Sequence, residues 1–324
     1  MINPETARFA REQGEWTAMA IKLPDGSYTR EPAVDHRLKR LVQCAQDFVG
    51  KPLAECRVLD LACLEGHYAI EFAAHGAECV GIEARQVSLD KCAYAKSALG
   101  FERVTFFKDD VRNLRAARYG KFDIVICSGI LYHLPAQDAA DFIGSIAEVC
   151  TEILLLDTFV SLNGRSRVEL RDGPVYGHPY FEHHENDDEG MRASKLWSSV
   201  DNATSFWFTE SSLVNLLMKA GFTTVVEILA PTTPGFPRDR KTYLARRGTP
   251  TAIMTSDPTH EEQPHFMAEG LSNLMDASQT ERSKVFRIAK TYLPAPVKNA
   301  IKPLLRAVGI LPPDQTPDFM KKRQ

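Results

Sequence analysis

The chain has 324 residues, of which 44% are hydrophobic and 25% are charged, and its formal net charge at pH 7 is −3. This balance is typical of a globular chain that buries a sizeable core, so disorder is excluded as its main state. The small negative charge supplies no overall field that attracts nucleic acid, although a local basic patch is compatible with it.

Residues 1–13 are mixed and charged, and no run of about 18 apolar residues occurs in the sequence. We therefore expect neither a secretory leader nor a transmembrane segment. All seven cysteines fall between Cys44 and Cys150 with no paired metal-binding spacing, so we interpret them as reduced, buried thiols. These features together predict a cytoplasmic protein.

Residues 1–50 precede the regular part of the sequence and are expected to form an N-terminal cap or lid. Within them, residues 16–29 are typical of a small hairpin that turns at Asp25 and Gly26. The apolar spacing over residues 34–49 predicts a helix.

In residues 51–248, short apolar runs alternate with helix-like segments, which is the pattern of a parallel sheet covered by helices. The expected strands are 57–61, 79–84, 104–108, 122–127, 153–158, 224–229 and 242–245. A helix is predicted over 210–220, where the apolar pattern ends at Gly221. The sequence therefore predicts an α/β, doubly wound, mostly parallel sheet of seven strands.

Residues 161–209 interrupt this alternation as an insertion, with many Gly, His, Asp and Glu residues over 171–190. Insertions of this kind usually serve the substrate. Residues 249–324 are expected to be a linker and a helical tail, whose apolar face lies beside basic residues. That face consists of Val297, Ile301, Leu304, Leu305 and Val308. Three roles are open for it: packing on the core, which is the default, joining two copies into a homo-oligomer, or peripheral contact with a membrane surface.

The strongest motif is Val-Leu-Asp-Leu-Ala-Cys-Leu-Glu-Gly at residues 58–66, a buried strand that continues into a tight turn and a helix. Ligands bind where such strands end. A dinucleotide pyrophosphate needs glycine in this turn because the backbone approaches it closely. Ala62 and Leu64 occupy the first two glycine positions, so the motif disfavours an NAD-dependent oxidoreductase.

Acidic residues also follow the next two expected strands. Glu83 ends the second strand, where its carboxylate can accept hydrogen bonds from two ribose hydroxyls. Asp109 and Asp110 follow the third strand and can accept from an adenine amino group, while the backbone amide of Val111 can meet a ring nitrogen. This spacing predicts an adenosine site.

These residues, in this order, resemble the class I S-adenosylmethionine-dependent methyltransferases, whose signature is a strand ending in Asp-x-Gly-x-Gly-x-Gly or a close variant. The resemblance covers about residues 55–160 and implies a Rossmann-like fold with S-adenosylmethionine as cofactor. It implies that Asp60 and Gly66 shape the pocket for the methionine moiety, that Glu83 holds the ribose and that Asp110 holds the adenine. The predicted cofactor-binding residues are Asp60, Ala62, Cys63, Gly66, Glu83, Asp109, Asp110, Val111, Cys127, Ser128 and Gly129.

A second, weaker resemblance involves Trp16, residues 23–26 and residues 129–134. These segments are similar to the branch that contains tRNA wobble-uridine carboxymethyl transferases. That likeness implies tRNA as an alternative partner.

His133 follows the fourth strand, where a neutral imidazole near the methyl group can take the proton of a hydroxyl acceptor. Tyr132 can orient that acceptor, whereas the alternative is that His133 only packs or caps the following helix. We therefore predict methylation of a small molecule or glycan, with O-methylation favoured. Two alternatives stay open: a tRNA-modifying methyl or carboxymethyl transferase, which the negative charge opposes, and a non-catalytic cofactor-binding scaffold.

The insertion contains the densest group of potential metal ligands in the sequence. The group consists of His178, Glu182, His183, His184, Glu185, Asp187 and Asp188. It could hold a divalent metal that grips vicinal hydroxyls, but such a run is more often a solvated acidic loop, and no metal is part of the predicted site. Trp197, Phe206 and Trp207 could offer flat walls for a sugar or aromatic acceptor, or could belong to the core.

Overall fold

The computed structural model describes residues 2–249 apart from residues 34, 165, 185 and 230–236. The tail predicted over 249–324 lies, from residue 250 onward, outside the described residues, and so does Glu185 of the proposed metal group. In the described part of the chain, no helix has both the length and the apolar character needed to cross a membrane.

The centre of the described chain is a seven-stranded sheet. Its strands are β1 (Arg57–Leu61), β2 (Glu78–Glu83), β3 (Val104–Lys108), β4 (Phe122–Ser128), β5 (Cys150–Phe159), β9 (Phe222–Glu227) and β10 (Arg240–Arg247). Their order is β3-β2-β1-β4-β5-β10-β9, in which β10 is antiparallel to both neighbours. The predicted doubly wound, mostly parallel fold is therefore confirmed.

Helices cover both faces of this sheet. They are α2 (His36–Phe48), α3 (His67–Ala74), α4 (Gln86–Leu99), α5 (Ala116–Tyr119), α6 (Ala136–Val149) and α8 (Glu210–Lys219). Single 3₁₀ turns occur at Leu53–Glu55, Val111–Asn113 and Leu131–His133. Alternate strand residues enter separate cores: Val125 of β4 packs in one and Ile124 in the other. The strands therefore have the apolar character of a sheet buried on both faces.

The N-terminal 50 residues contain one element that the sequence did not indicate, the helix α1 (Pro4–Gln13), whose first turn is capped by the side chain of Asn3. The expected hairpin is reduced to one bridge, between Lys22 and Tyr28, around a turn with Gly26 at φ +80°. The helix predicted over 34–49 is α2, which begins at His36 because the Asp35 carboxylate accepts hydrogen bonds from two amides of its first turn.

The insertion forms a second, three-stranded antiparallel sheet that the sequence analysis did not predict. It consists of β6 (Ser166–Leu170), β7 (Gly173–Phe181) and β8 (Thr204–Phe208), with the short helix α7 (Glu189–Ser194) between the last two strands. Pro174 and Pro179 within β7 conceal the strand from a pattern analysis, because proline ordinarily argues against a strand. A bridge from Ser161 to Thr209 closes the insertion at its base.

Candidate active site

The strand order reverses between β1 and β4, and a cavity of about 600 Å³ lies at the carboxyl ends of these strands. This is where open α/β sheets bind ligands, and the volume is within the usual range for a small-molecule site. Three parts of the chain supply its walls: the sheet turns, the N-terminal cap and the insertion. The cap contributes Ala18, Met19, Ala20, Arg30 and Arg37, and the insertion contributes residues 196–201.

The turn after β1 keeps the backbone of a glycine-rich loop without the first two of its glycines. Ala62 has φ +53° and Leu64 has φ +50°, and within the described residues these are the two non-glycine positions with positive φ. Gly66 (φ +78°) begins α3, and a Cβ there would lie 2.8 Å from the Phe106 ring. The departures from the glycine signature therefore change the side chains of the turn and leave its left-handed conformation in place, at about 1–2 kcal/mol of strain per residue.

Two buried carboxylates lie beside this turn. Oδ2 of Asp60 accepts a hydrogen bond from the Ala69 amide at 3.1 Å, and burial, together with the charge of Glu83, raises the pKa of Asp60 to about 7 despite this bond. Glu83 accepts from the amides of Leu64 (3.0 Å) and Arg85 (2.9 Å), and burial raises its pKa. Both carboxylates line the cavity, and Glu83 is held rigidly at the end of β2.

The two acids after β3 have different surroundings. Asp109 is occupied by Tyr119, Arg118 and Asn113. Asp110 caps the 3₁₀ turn Val111–Asn113 through the Arg112 amide (2.8 Å). Both carboxylates are engaged by protein donors, but the Asp110 side chain is 37% exposed whereas that of Asp109 is 8% exposed, so Asp110 is the more accessible of the two to a ligand.

Arg112 also connects this end of the cavity to the insertion. Its guanidinium contacts both Asp110 and Asp201. Arg85 makes a similar connection by donating to the carbonyl oxygens of Lys195 (3.1 Å) and Ser198 (3.0 Å). The insertion is therefore fastened over the cavity by two arginines of the sheet domain.

His133, which lines the cavity, forms a hydrogen-bonded pair with Glu182. Nδ1 of His133 lies 2.8 Å from Oε1 of Glu182, and Glu182 also accepts from Ser205 Oγ (2.8 Å) and the Ser199 amide (3.2 Å). Burial alone would raise the pKa of Glu182, but these hydrogen bonds and the His133 ring lower it. Since an ionised carboxylate only accepts, this bond requires the proton of the neutral ring to be on Nδ1, which leaves Nε2 without a proton.

Tyr132 lies beside His133, with its ring centroid 4.3 Å from the imidazole. Burial raises the pKa of Tyr132 to about 12. Its phenol is therefore neutral at ordinary pH and can donate a hydrogen bond.

Most of the predicted site residues meet in this one cavity. Those that line it are Asp60, Ala62, Cys63, Glu83, Asp109, Asp110, Val111, Ser128, Gly129, Tyr132 and His133. Gly66 and Cys127 do not line it: the first is a tightly packed helix start, and the second is fully buried in the core. The roles given to these residues stay predictions.

Most of the proposed metal ligands of the insertion bind partners outside the group, although Nδ1 of His183 lies 3.8 Å from Asp187. His178 meets Ser161, His183 meets the Ser199 carbonyl, and Asp187 meets Lys195. Glu182 binds His133 and Asp188 caps α7. No group of three or more such side chains suited to a metal occurs among the described residues, which exclude Glu185.

Sequence reasoning missed three residues of this site, Arg37, Asp157 and Arg240, and it missed the role of Glu182 as the partner of His133. The sequence gives one signal for Asp157, which is an acid at the end of the apolar run 153–156, and in the structure this residue is only 1% exposed. The arginines gave none, since they come from α2 and β10 and meet Asp157 only in the folded chain.

Comparison with known proteins agrees with this fold. Residues 58–152 match a family model described as "Methyltransferase domain". No curated protein matches the sequence significantly. The crystal structure of the N-terminal domain of EvdMO1 in the presence of SAH (S-adenosylhomocysteine) and D-fucose has 22% sequence identity and a TM-score of 0.60, covering 76% of this chain and 98% of that chain.

Two other solved structures match less closely. EvdMO1 as a longer chain has 21% identity and a TM-score of 0.49, covering 75% of this chain and 47% of that chain. Magnesium protoporphyrin IX methyltransferase from Synechocystis PCC 6803 with bound SAM has 18% identity and a TM-score of 0.44, covering 66% and 80%. The strand order and the family match together indicate that residues 58–152 belong to a methyltransferase domain with a Rossmann-like fold.

Proposed function

We propose that this chain transfers the methyl group of S-adenosylmethionine to a hydroxyl group of a small molecule or glycan. The observation that carries this proposal is the His133–Glu182 pair, because it places a carboxylate-bonded histidine in the same cavity as the Glu83 carboxylate. Oxygen acceptors need such a base because they lose a proton during transfer.

The residues of the cavity fit the cofactor. Glu83 and Asp110 offer acceptors for the ribose hydroxyls and the adenine amino group. Nδ1 of His67, at the start of α3, is buried without a hydrogen-bond partner in the described structure, and burial lowers the pKa of this ring. A polar group of a bound cofactor would satisfy that nitrogen. The bound cofactor would supply an electrophilic methyl group on a sulfonium.

The chain's own residues then position the acceptor and remove its proton. His133 Nε2 accepts the hydroxyl proton, while Glu182 holds the ring and stabilises the imidazolium that forms, the arrangement of a base with a carboxylate orienter. Tyr132 donates a hydrogen bond that fixes the acceptor. Most of the rate enhancement in such a displacement comes from alignment of the reacting groups.

A small acceptor is favoured by the walls of the cavity. Trp197 of the insertion lines it with a side chain that is 67% exposed, and an exposed indole provides a flat surface for a sugar or an aromatic ring. The EvdMO1 domain was crystallised in the presence of a sugar, D-fucose, which agrees with this class of acceptor.

Calorimetry with SAH tests the cofactor part of the proposal. Saturable binding is expected, and Glu83→Gln should weaken it about tenfold or more, since one charged hydrogen bond contributes roughly 1.5–3 kcal/mol. The control is Glu169→Gln, an exposed carboxylate of β6, which should leave affinity unchanged. Absence of binding at millimolar SAH would contradict a catalytic role and favour the scaffold alternative.

Transfer of labelled methyl groups tests the acceptor class. Purified protein is incubated with methyl-labelled S-adenosylmethionine and either an RNA-free extract of small metabolites or bulk tRNA. Label in an alkali-stable ether from the metabolite extract supports the proposal. Label in tRNA alone would contradict it and favour the RNA-modifying alternative.

A further inference from the structure

Two arginines from distant parts of the chain meet one buried carboxylate at the acceptor end of the cavity. Arg37 of α2 donates to Oδ1 of Asp157 at 3.0 Å, and Arg240 of β10 contacts the same oxygen through Nε (2.8 Å) and Nη2 (2.7 Å). Thr242 donates to the other oxygen, Oδ2, at 2.7 Å. Both arginines line the cavity, whereas Asp157 is 1% exposed.

The charges of this group do not cancel. Two guanidinium groups share the Asp157 carboxylate, and Asp35, another acid near Arg37, has an oxygen occupied by the amides that start α2. The Asp35 carboxylate caps the N-terminus of α2, and the positive end of the helix dipole already offsets its negative charge. Nε of Arg37 is buried with no hydrogen-bond partner in the described structure. Since a guanidinium has five N–H donors, the pair retains donors for a further anion.

Arg37 and Arg240 lie on the side of the cavity where His133 would meet the acceptor. Asp157 stands on β5, three strands from the Glu83 strand in the sheet order, which is roughly 14 Å at ~4.8 Å per strand. The Arg240 guanidinium lies over the Phe159 ring at 5.5 Å, and Phe159 packs edge-on against Tyr132 at 4.9 Å. The pair is therefore next to the aromatic residues around His133 and away from the adenosine end.

We propose that the acceptor is an acid, whose carboxylate or phosphate group binds Arg37 and Arg240 while its hydroxyl group meets His133. This inference rests on the proposed function and narrows its substrate class. Arginine suits the task because its planar fork binds carboxylates and phosphates through two parallel hydrogen bonds. Asp157 keeps both forks in place before the acceptor arrives, which lowers the cost of ordering them.

Calorimetry with SAH-saturated protein tests the anion site directly. Three acidic probes, D-glucuronate, benzoate and inorganic phosphate, are titrated beside a neutral sugar, methyl glucoside. We expect saturable binding of at least one acidic probe, which Arg240→Met and Arg37→Met each weaken about tenfold, the effect of one charge-assisted hydrogen bond. The control is Arg167→Met, which removes an exposed arginine of β6 outside the cavity.

Each alternative outcome contradicts the proposal in a recognisable way. If no acidic probe binds the SAH-loaded protein, or if both variants bind it as well as the wild type, the acceptor is not held here as an anion. If the variants instead weaken SAH itself about tenfold, the arginines serve the cofactor's own carboxylate. Unchanged SAH affinity also shows that the variants are folded, and failure of wild-type SAH binding would refute the proposed function separately.

Discussion

Glu65 and Lys91 form an ion pair of 2.9 Å in which both side chains are almost fully buried. Glu65 belongs to the turn after β1, and it also accepts hydrogen bonds from the Thr17 and Ala18 amides of the cap. Lys91 of α4 donates in addition to the Glu15 carbonyl at 2.6 Å. The pair therefore fastens the cap to the turn, and through Ala18 it positions one wall of the cavity.

Breaking this pair should destabilise the protein strongly. Lys91→Met leaves the Glu65 carboxylate buried without its counter-charge, and such a change typically costs about 3–5 kcal/mol. Urea unfolding measures the effect. The control is Lys51→Met, which removes the partly exposed partner of Asp123 and should cost at most about 1 kcal/mol. Equal losses in the two variants would contradict the role given to Glu65.

The sheet could be predicted because its strands are buried on both faces and end in polar turns. The bounds of β1 and β3 match the expectation residue for residue. The second sheet could not be predicted, because β7 contains prolines and its neighbour β8 is separated from it by α7. A local pattern does not report which distant segments pair.

The residues of the candidate site also fall into those that the sequence could predict and those that it could not. Asp60 and Glu83 lie at the carboxyl ends of parallel strands and Asp110 follows the next strand, so the fold class predicts that they converge at one edge of the sheet. The contacts of His133 with Glu182 and of Asp157 with Arg240 join residues 49 and 83 positions apart. Nothing local to either residue identifies its partner, and Glu182 in particular looked like one member of an acidic run.

The strained turn should become more stable with glycine. Ala62→Gly removes the steric strain of a Cβ on a left-handed backbone, roughly 1–2 kcal/mol. Glycine also loses more conformational entropy on folding, which costs about 0.5–1 kcal/mol. A net gain of up to about 1 kcal/mol is expected in thermal or urea unfolding. Ala93→Gly, at an exposed position within α4, should instead lose about 1 kcal/mol. Loss of stability in both variants would show that Ala62 is not strained.

Asp60 should make stability fall as pH rises. Its pKa in the folded chain is about 7, whereas the ordinary value is 3.8, so between these pH values the folded state holds a proton that the unfolded state has released. The contribution of Asp60 to the free energy of unfolding therefore declines from about pH 4 to pH 7 and is constant above pH 7. The total decline is about 1.4 kcal/mol for each unit by which the two pKa values differ.

Replacement by asparagine isolates this contribution. Asp60→Asn keeps an oxygen for the Ala69 amide but has no charge to bury. The difference in unfolding free energy between variant and wild type should therefore move in favour of the variant between pH 5 and pH 8. A difference that is constant with pH would mean that Asp60 is ionised in the folded protein throughout this range.

Glu182 should act through His133, and the tautomer of the imidazole reports this. In the wild type, proton–nitrogen correlation spectra of the histidine rings should show His133 protonated at Nδ1 with a bare Nε2. Glu182→Gln replaces a pure acceptor by an amide that can also donate, so a mixture of tautomers is expected. Glu169→Gln in the neighbouring strand is the matched control and should leave the spectrum unchanged.

Once an acceptor substrate is identified, kinetics of the His133 and Glu182 variants distinguish a role in orienting the base from a role in binding the acceptor. His133→Ala should lower kcat about 10²- to 10⁴-fold, the usual contribution of a general base, with KM little changed. Glu182→Gln should lower kcat less, while the SAH affinity stays that of the wild type. Two results for Glu182→Gln would together contradict this role: a single tautomer protonated at Nδ1, and a kcat equal to that of the wild type. The 2.8 Å hydrogen bond would then have no catalytic consequence, and the carboxylate would not orient the base.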